Sequence, residues 1–163
     1  MKLTAIALSL LFLPGTLEAE TLKFPKDNPQ FSVTFNDNWR AEILSSGIIS
    51  AQPKGVPYAI SIFSVSATTA PGAIDETFSE VGKRFTNIKE DEPGEFTNKT
   101  GVKFLERDLT GEDAGSARQM AIVAFAVGPG KYFALFQAGT PATGKQYVSD
   151  FKAVVRSITL LKG

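Results

Sequence analysis

Ser149 and Lys152 stand three residues apart, and Lys99-Thr100-Gly101 spells K-T-G. Serine activated by lysine is the nucleophile of penicillin-binding enzymes, whose third signature is S-D-N. Here the order is reversed and S-D-N is missing. The pair reads as an exposed helix face and a hairpin turn. Glu106 and Asp108 alternate onto one face of a strand-like run, and Glu112 and Asp113 follow in the next turn. Paired carboxylates serve acid–base catalysis or bind Ca²⁺. No calcium-loop spacing accompanies them, so the choice between a cation site and a solvated hairpin end stays open. A lysine sharing a cleft with Glu106 and Asp108 would favour an enzyme. The run Glu90, Asp91, Glu92 and Glu95 reads as a solvated loop or an acidic docking patch.

Gly139, Gly144 and Lys145 fill the G-x-x-x-x-G-K frame of a phosphate-binding loop. Gln146 replaces the serine or threonine that would hold Mg²⁺, and residues 131–138 look like the hairpin partner of 117–127 rather than a parallel strand. The same letters make a T-x-x-Q capping box, with Thr143 as cap and Gln146 reaching back. Exposed N–H groups there make Thr143, Gly144 and Lys145 candidate anion contacts. Trp39 and Arg40 are candidate partner contacts, because tryptophan anchors many interfaces. Trp39 equally suits the end of a core, with its indole N–H hydrogen-bonded.

The chain has no histidine and no cysteine. Histidine-based triads, cysteine nucleophiles and most zinc sites are thereby excluded. No cofactor motif is complete, and none is expected. The 17 basic and 17 acidic residues balance, which argues against nucleic-acid binding.

These side chains need elements to hold them. Period-two alternation predicts strands at 31–35, 39–44, 47–52 and 58–66, and again at 102–110, 117–127 and 131–138. Helical stripes fall at 73–85, through Ile74, Phe78, Val81 and Phe85, and at 144–157, through Tyr147, Phe151, Val154 and Ile158. Asp75 and Glu76 near the first helix's start and Lys83 and Arg84 near its end suit the helix dipole. The expected fold is α+β, with an antiparallel sheet of about six strands sandwiched between helices.

Residues 1–19 combine Lys2, an apolar run from Leu3 to Leu13, Pro14-Gly15 and small Ala19. That pattern predicts a secretory signal peptide cut after Ala19, leaving 20–163 as one domain without a membrane span. The expected location is the periplasm, a lumen or the exterior.

The stretches "FSVTFNDNWRAEI" and "TPATGKQYVSDFKAVVRSITL" flank a mid-chain amphipathic helix and a run of hairpins. With Trp39 after a polar turn and the Tyr147, Phe151, Ser157 pattern, this layout resembles the PsbP-like group. That group includes the extrinsic photosystem II protein, the nuclear Ran-binding Mog protein and small periplasmic proteins. Many relatives have Pro-x-Gly-Trp where this chain has Asn36-Asp37-Asn38-Trp39. The resemblance implies an α-β-α sandwich in a group whose members mostly bind or help assemble other proteins, and it implies no particular reaction. With no histidine, cysteine or complete catalytic motif, the expectation is a non-enzymatic protein that binds or helps assemble another envelope or lumenal protein. A small-molecule or lipid carrier with a cleft between sheet and helix is the alternative.

Overall fold

A computed structural model describes residues 19–161, so most of the expected signal segment lies outside the described residues. In chain order the elements are β1 (Glu20–Phe24), β2 (Phe31–Phe35), β3 (Trp39–Ile43), β4 (Ile49–Pro53), β5 (Tyr58–Ser64) and α1 (Ala70–Val81). Then come β6 (Thr86–Glu90), β7 (Gly94–Thr97), β8 (Lys103–Asp113), β9 (Ser116–Gly128), β10 (Lys131–Gly139), α2 (Pro141–Ser157) and β11 (Thr159–Leu160).

The main sheet has eight strands in the order β3-β4-β5-β10-β9-β8-β6, with β7 paired to the other half of β8. All its pairings are antiparallel. Two strands exceed the expectation of about six because β6 and β7 are edge strands. Each carries one inward apolar residue, Ile88 or Phe96, so the alternation that marks a strand is too thin to read. The acidic stretch expected as a loop is largely these two strands and the link between them. Conversely, β2 leaves the main sheet and joins β1 and β11 in a separate three-stranded sheet.

Period-two alternation on the long central strands gives two apolar faces, and each receives its own cover. On one face Ala73, Ile74 and Val81 of α1 pack with Leu109, Met120, Ile122 and Ala124. On the other, Tyr147, Phe151, Val154 and Val155 of α2 and the small sheet cover Ile60, Ile62, Val123, Phe125 and Leu135. At roughly 1.5–3 kcal/mol for each large apolar side chain fully buried, these two layers dominate the stability.

Helix α1 starts three residues earlier than its stripe predicts and stops earlier too. Thr69 caps it by accepting from Gly72 N at 3.2 Å, and Pro71 sits in the first turn, where its missing N–H costs nothing. The expected dipole pairing is therefore absent, since neither an acidic first turn nor a basic last turn exists. Glu76 instead accepts from Ser66 N and Ala67 N at 2.9 Å, holding the loop before the helix.

The far end of α2 is fixed by two polar clasps. Ser157 Oγ accepts from Thr34 N at 2.9 Å, tying the helix to β2. Buried Asn98 donates through Nδ2 to Ile158 O at 2.8 Å and accepts at Oδ1 from Thr100 N, Thr100 Oγ1 and Val102 N. The K-T-G letters thus belong to a turn, with Gly101 at φ 86°.

Candidate functional site

The start of α2 lies one residue beyond the end of β10, and this tight junction decides the local chemistry. Thr140 is the cap: its Oγ1 accepts from Thr143 N at 3.2 Å, and its carbonyl accepts from Gly144 N at 2.8 Å. The expected Thr143–Gln146 capping box does not form, because the helix has already begun at Pro141. The N–H groups of Thr143 and Gly144, two of the candidate anion contacts, are thus bonded within the helix start, and the third candidate, Lys145, is exposed.

Packing explains both glycines of the phosphate-loop frame. A Cβ on Gly139 would stand 2.5 Å from Tyr58 Cδ2, and one on Gly144 would stand 2.6 Å from Gln119 Oε1. Both glycines let α2 close down on the sheet.

Trp39 is 4 % exposed, which places it in the core and withdraws it as a partner anchor; Arg40, next along the edge strand β3, is exposed. The Trp39 indole N–H donates to Asp150 Oδ2 at 3.3 Å. Its ring meets Tyr58 and Tyr147 edge-on at 5.9 and 6.0 Å, and those two tyrosines stack at 5.4 Å. Such pairs contribute roughly 0.5–1.5 kcal/mol each beyond area burial. Burial, and then Asp150, push the Tyr58 hydroxyl far above its ordinary pKa, so it stays neutral.

Beside this cluster the α2-facing side of the sheet turns polar. Along β8 the alternation places Glu106 and Asp108 toward α2, while Arg107 points to the α1 side and meets Glu90 at 2.8 Å and Asp75 at 3.6 Å. Register brings Asp108 opposite Ala121 and Ala121 opposite Gln137, so Gln137 of β10 lies in the same cross-strand row. These residues, with Tyr58, Gln119, Gly144, Val148, Phe151 and Lys152, enclose a crevice of about 130 Å³ under α2.

The crevice is polar and unsatisfied. Gln137 is 6 % exposed, and its Oε1 has no hydrogen-bond partner. A buried orphan acceptor of this kind costs about 1–3 kcal/mol. Among the described residues, Glu106, Asp108 and Lys152 make no ion pair within 4.0 Å. Burial, then Asp108, raises the pKa of Glu106; burial, then Asp91, raises that of Asp108; Lys152 pulls both back down.

Glu106, Asp108 and a lysine therefore do share one cleft. Glu112 and Asp113 do not join them. Asp113 pairs with Arg84 at 2.8 Å and Arg118 at 3.6 Å, and Glu112 accepts from Asn87 at 3.2 Å. Among the described residues no three carboxylates converge as a metal site would require.

A groove of about 280 Å³, lined by Phe96, Thr97, Val155 and Arg156, adjoins the crevice and shares Glu106, Phe151 and Lys152 with it. Larger concavities of about 520 and 670 Å³ lie along β7–β8 and at the β8–β9 hairpin, but neither is lined by an unpaired buried polar atom. Sequence reasoning missed Gln137 and Gln119. The available signal was Gln137 itself, a lone amide at an inward position of the apolar run "KYFALFQA".

An antiparallel sheet covered by one helix on each face, with a small sheet beside α2, defines a PsbP-like fold. Neither a protein-family model nor a curated protein matches the sequence. Among solved structures, cyanobacterial PsbP (CyanoP) of Synechocystis sp. PCC 6803 is similar, with a TM-score of 0.66 at 11 % identity, over 91 % of this chain and 95 % of that one. LpqN of Mycobacterium tuberculosis, described as involved in cell envelope biogenesis, is similar with a TM-score of 0.60 at 14 % identity, over 88 % and 92 %. A protein of unknown function from Pseudomonas aeruginosa reaches 0.51 at 11 % identity, over 77 % and 98 %. Identities this low establish the fold alone. Among the described residues no helix is long and apolar enough to cross a membrane.

Proposed function

We propose that this is an exported protein that binds or helps assemble another envelope or lumenal protein, and that it acts by binding rather than by catalysing a reaction. The observation that carries the reading is the crevice under α2, whose floor holds an unpartnered amide oxygen beside two unpaired carboxylates. Such groups are satisfied when a complementary donor arrives. At about 30 Å³ per water, the crevice holds roughly four waters, a volume that suits one side chain or a small head group rather than a whole metabolite. The fold shared with CyanoP and with LpqN supports an envelope or lumenal setting.

A photo-cross-linking residue in place of Val148, which is 41 % exposed at the crevice mouth, tests the reading in the envelope fraction. One defined protein cross-linked from this position, and not from Ser79 on the α1 side, is the expected result. Equal labelling from both positions, or none, overturns it.

The crevice taken together with the adjoining groove of about 280 Å³ supports a small-molecule carrier as a second reading. Native mass spectrometry would then find a small molecule bound to the purified protein. The clustered Glu106, Asp108 and Lys152 also meet the condition for an acid–base enzyme, and the two differ in outcome. A carrier returns its ligand unchanged, whereas an enzyme does not.

A further inference from the structure

The crevice is built from acceptors. Glu106 and Asp108 contribute carboxylates, and Gln137, 6 % exposed, lines the same space and carries an Oε1 with no partner among the described residues. Among the described residues exposed Lys152 is the one cation lining it, and Asp91 adds a further negative charge near Asp108. Carboxylates and an amide oxygen together ask for a ligand that donates several hydrogen bonds and carries positive charge. Exposed Val148 at the mouth and buried Phe151 beside it offer an apolar path for a short alkyl stem.

We propose that the crevice between α2 and the sheet receives a primary ammonium or guanidinium group on a short alkyl chain, with Gln137, Glu106 and Asp108 accepting its N–H groups. The proposal rests on reading the crevice as a binding site. Lys152 opposes the ligand's charge, and with no ion pair of its own it turns outward when the site fills. Arg156 lines the adjoining groove, which shares Glu106 and Lys152 with the crevice. The cation arrives either on a free amine or on a basic side chain of a protein partner.

Titrations of the purified protein followed by NMR distinguish these sources. The probes are n-butylammonium, methylguanidinium, and a short peptide with one central lysine, set against tetramethylammonium, butyrate and the norleucine peptide. Saturable shifts of the Gln137 side-chain amide with the N–H-bearing cations alone are expected. Glu106→Gln with Asp108→Asn should weaken binding at least about tenfold, and Lys152→Met should tighten it. Comparable affinity for butylammonium and the lysine peptide assigns the site to free amines, and clearly tighter peptide binding assigns it to a partner's side chain. Equal shifts with tetramethylammonium overturn the proposal by reducing the effect to general ionic screening. So do binding of butyrate in their place, or affinity that survives loss of both carboxylates. The isosteric carboxamide variants keep the fold testable by their amide spectra. Failure here leaves the Val148 cross-linking result unaffected, so the two readings fail separately.

Discussion

Gly144 in the first turns of α2 and Gln119 on β9 approach so closely that a methyl group on the glycine would lie 2.6 Å from the amide Oε1 and 3.1 Å from Cβ. Helix propensity alone favours alanine over glycine by about 1 kcal/mol, so the two effects oppose each other. Gln119 is exposed and its amide can swing away, but its Cβ cannot. Gly144→Ala should therefore lose about 1–2 kcal/mol net, and Gln119→Ala in that background should restore most of it. A urea-unfolding double-mutant cycle measures this coupling. Simple additivity would show that the contact does not set the helix position.

Gly139→Ala should cost more. Its Cβ would collide with the Tyr58 ring at 2.5 Å and Thr143 Oγ1 at 2.6 Å, and that ring is held between Trp39 and Tyr147. A loss of about 3 kcal/mol or more is expected. Because the clash bears on the aromatic cluster, the emission of Trp39 should shift to the red as it gains contact with water. Stability unchanged within error would contradict the packing described for this junction.

Gln137→Leu should stabilise the protein while removing an acceptor from the crevice. The amide oxygen is buried without a partner, and an apolar side chain of similar volume has no such desolvation penalty. The expected gain is about 1 kcal/mol by urea unfolding, accompanied by weaker binding of butylammonium. A loss of stability instead would mean that the oxygen is satisfied by ordered water.

The order in which these features could be read from the letters follows from how local their causes are. Long central strands such as 117–127 and 131–138 carry their alternation within themselves, and both are observed as β9 and β10. Strands β6 and β7 draw their existence from pairing with β8, and β11 from pairing with β2, so no local pattern announces them. The helix cap moved from Thr143 to Thr140 because the end of β10 at Gly139 leaves only one residue of junction. Glu106 and Asp108 were legible as a same-face pair, but their meeting with Lys152 and Gln137 depends on register and on the docking of α2. Trp39 offered two readings that only its burial separates.

Protonation should tune stability through Glu106. Its folded-state pKa is raised, first by burial and then by Asp108, so the folded state holds this proton more tightly than the unfolded one. The resulting stabilisation is present at low pH and is lost as pH rises through the raised value. Asp108 and Lys152 line the same crevice and shape the transition directly, and Asp91 acts on it through Asp108. Thermal melts should therefore show Glu106→Gln gaining on the wild type by about 1–3 °C as pH rises above the ordinary carboxylate range. Asp113, held below the ordinary range first by its hydrogen bond from Arg84, predicts the opposite slope for Asp113→Asn. A pH-independent difference for Glu106→Gln would remove the carboxylate from the crevice as described.

The small sheet joins distant parts of the chain, because β2 pairs with β1 on one side and with β11 on the other. Phe31, Val33 and Phe35 of β2 lie wholly buried in the core that the small sheet and α2 share with the main sheet. Residues made early thus wait for residues made late before their apolar side chains are covered. Such long-range closure carries a large loop entropy and slows folding. Completion of the core is consequently a late event in the life of the polypeptide, because the pairing of β2 is finished only when the segment at 159–160 arrives.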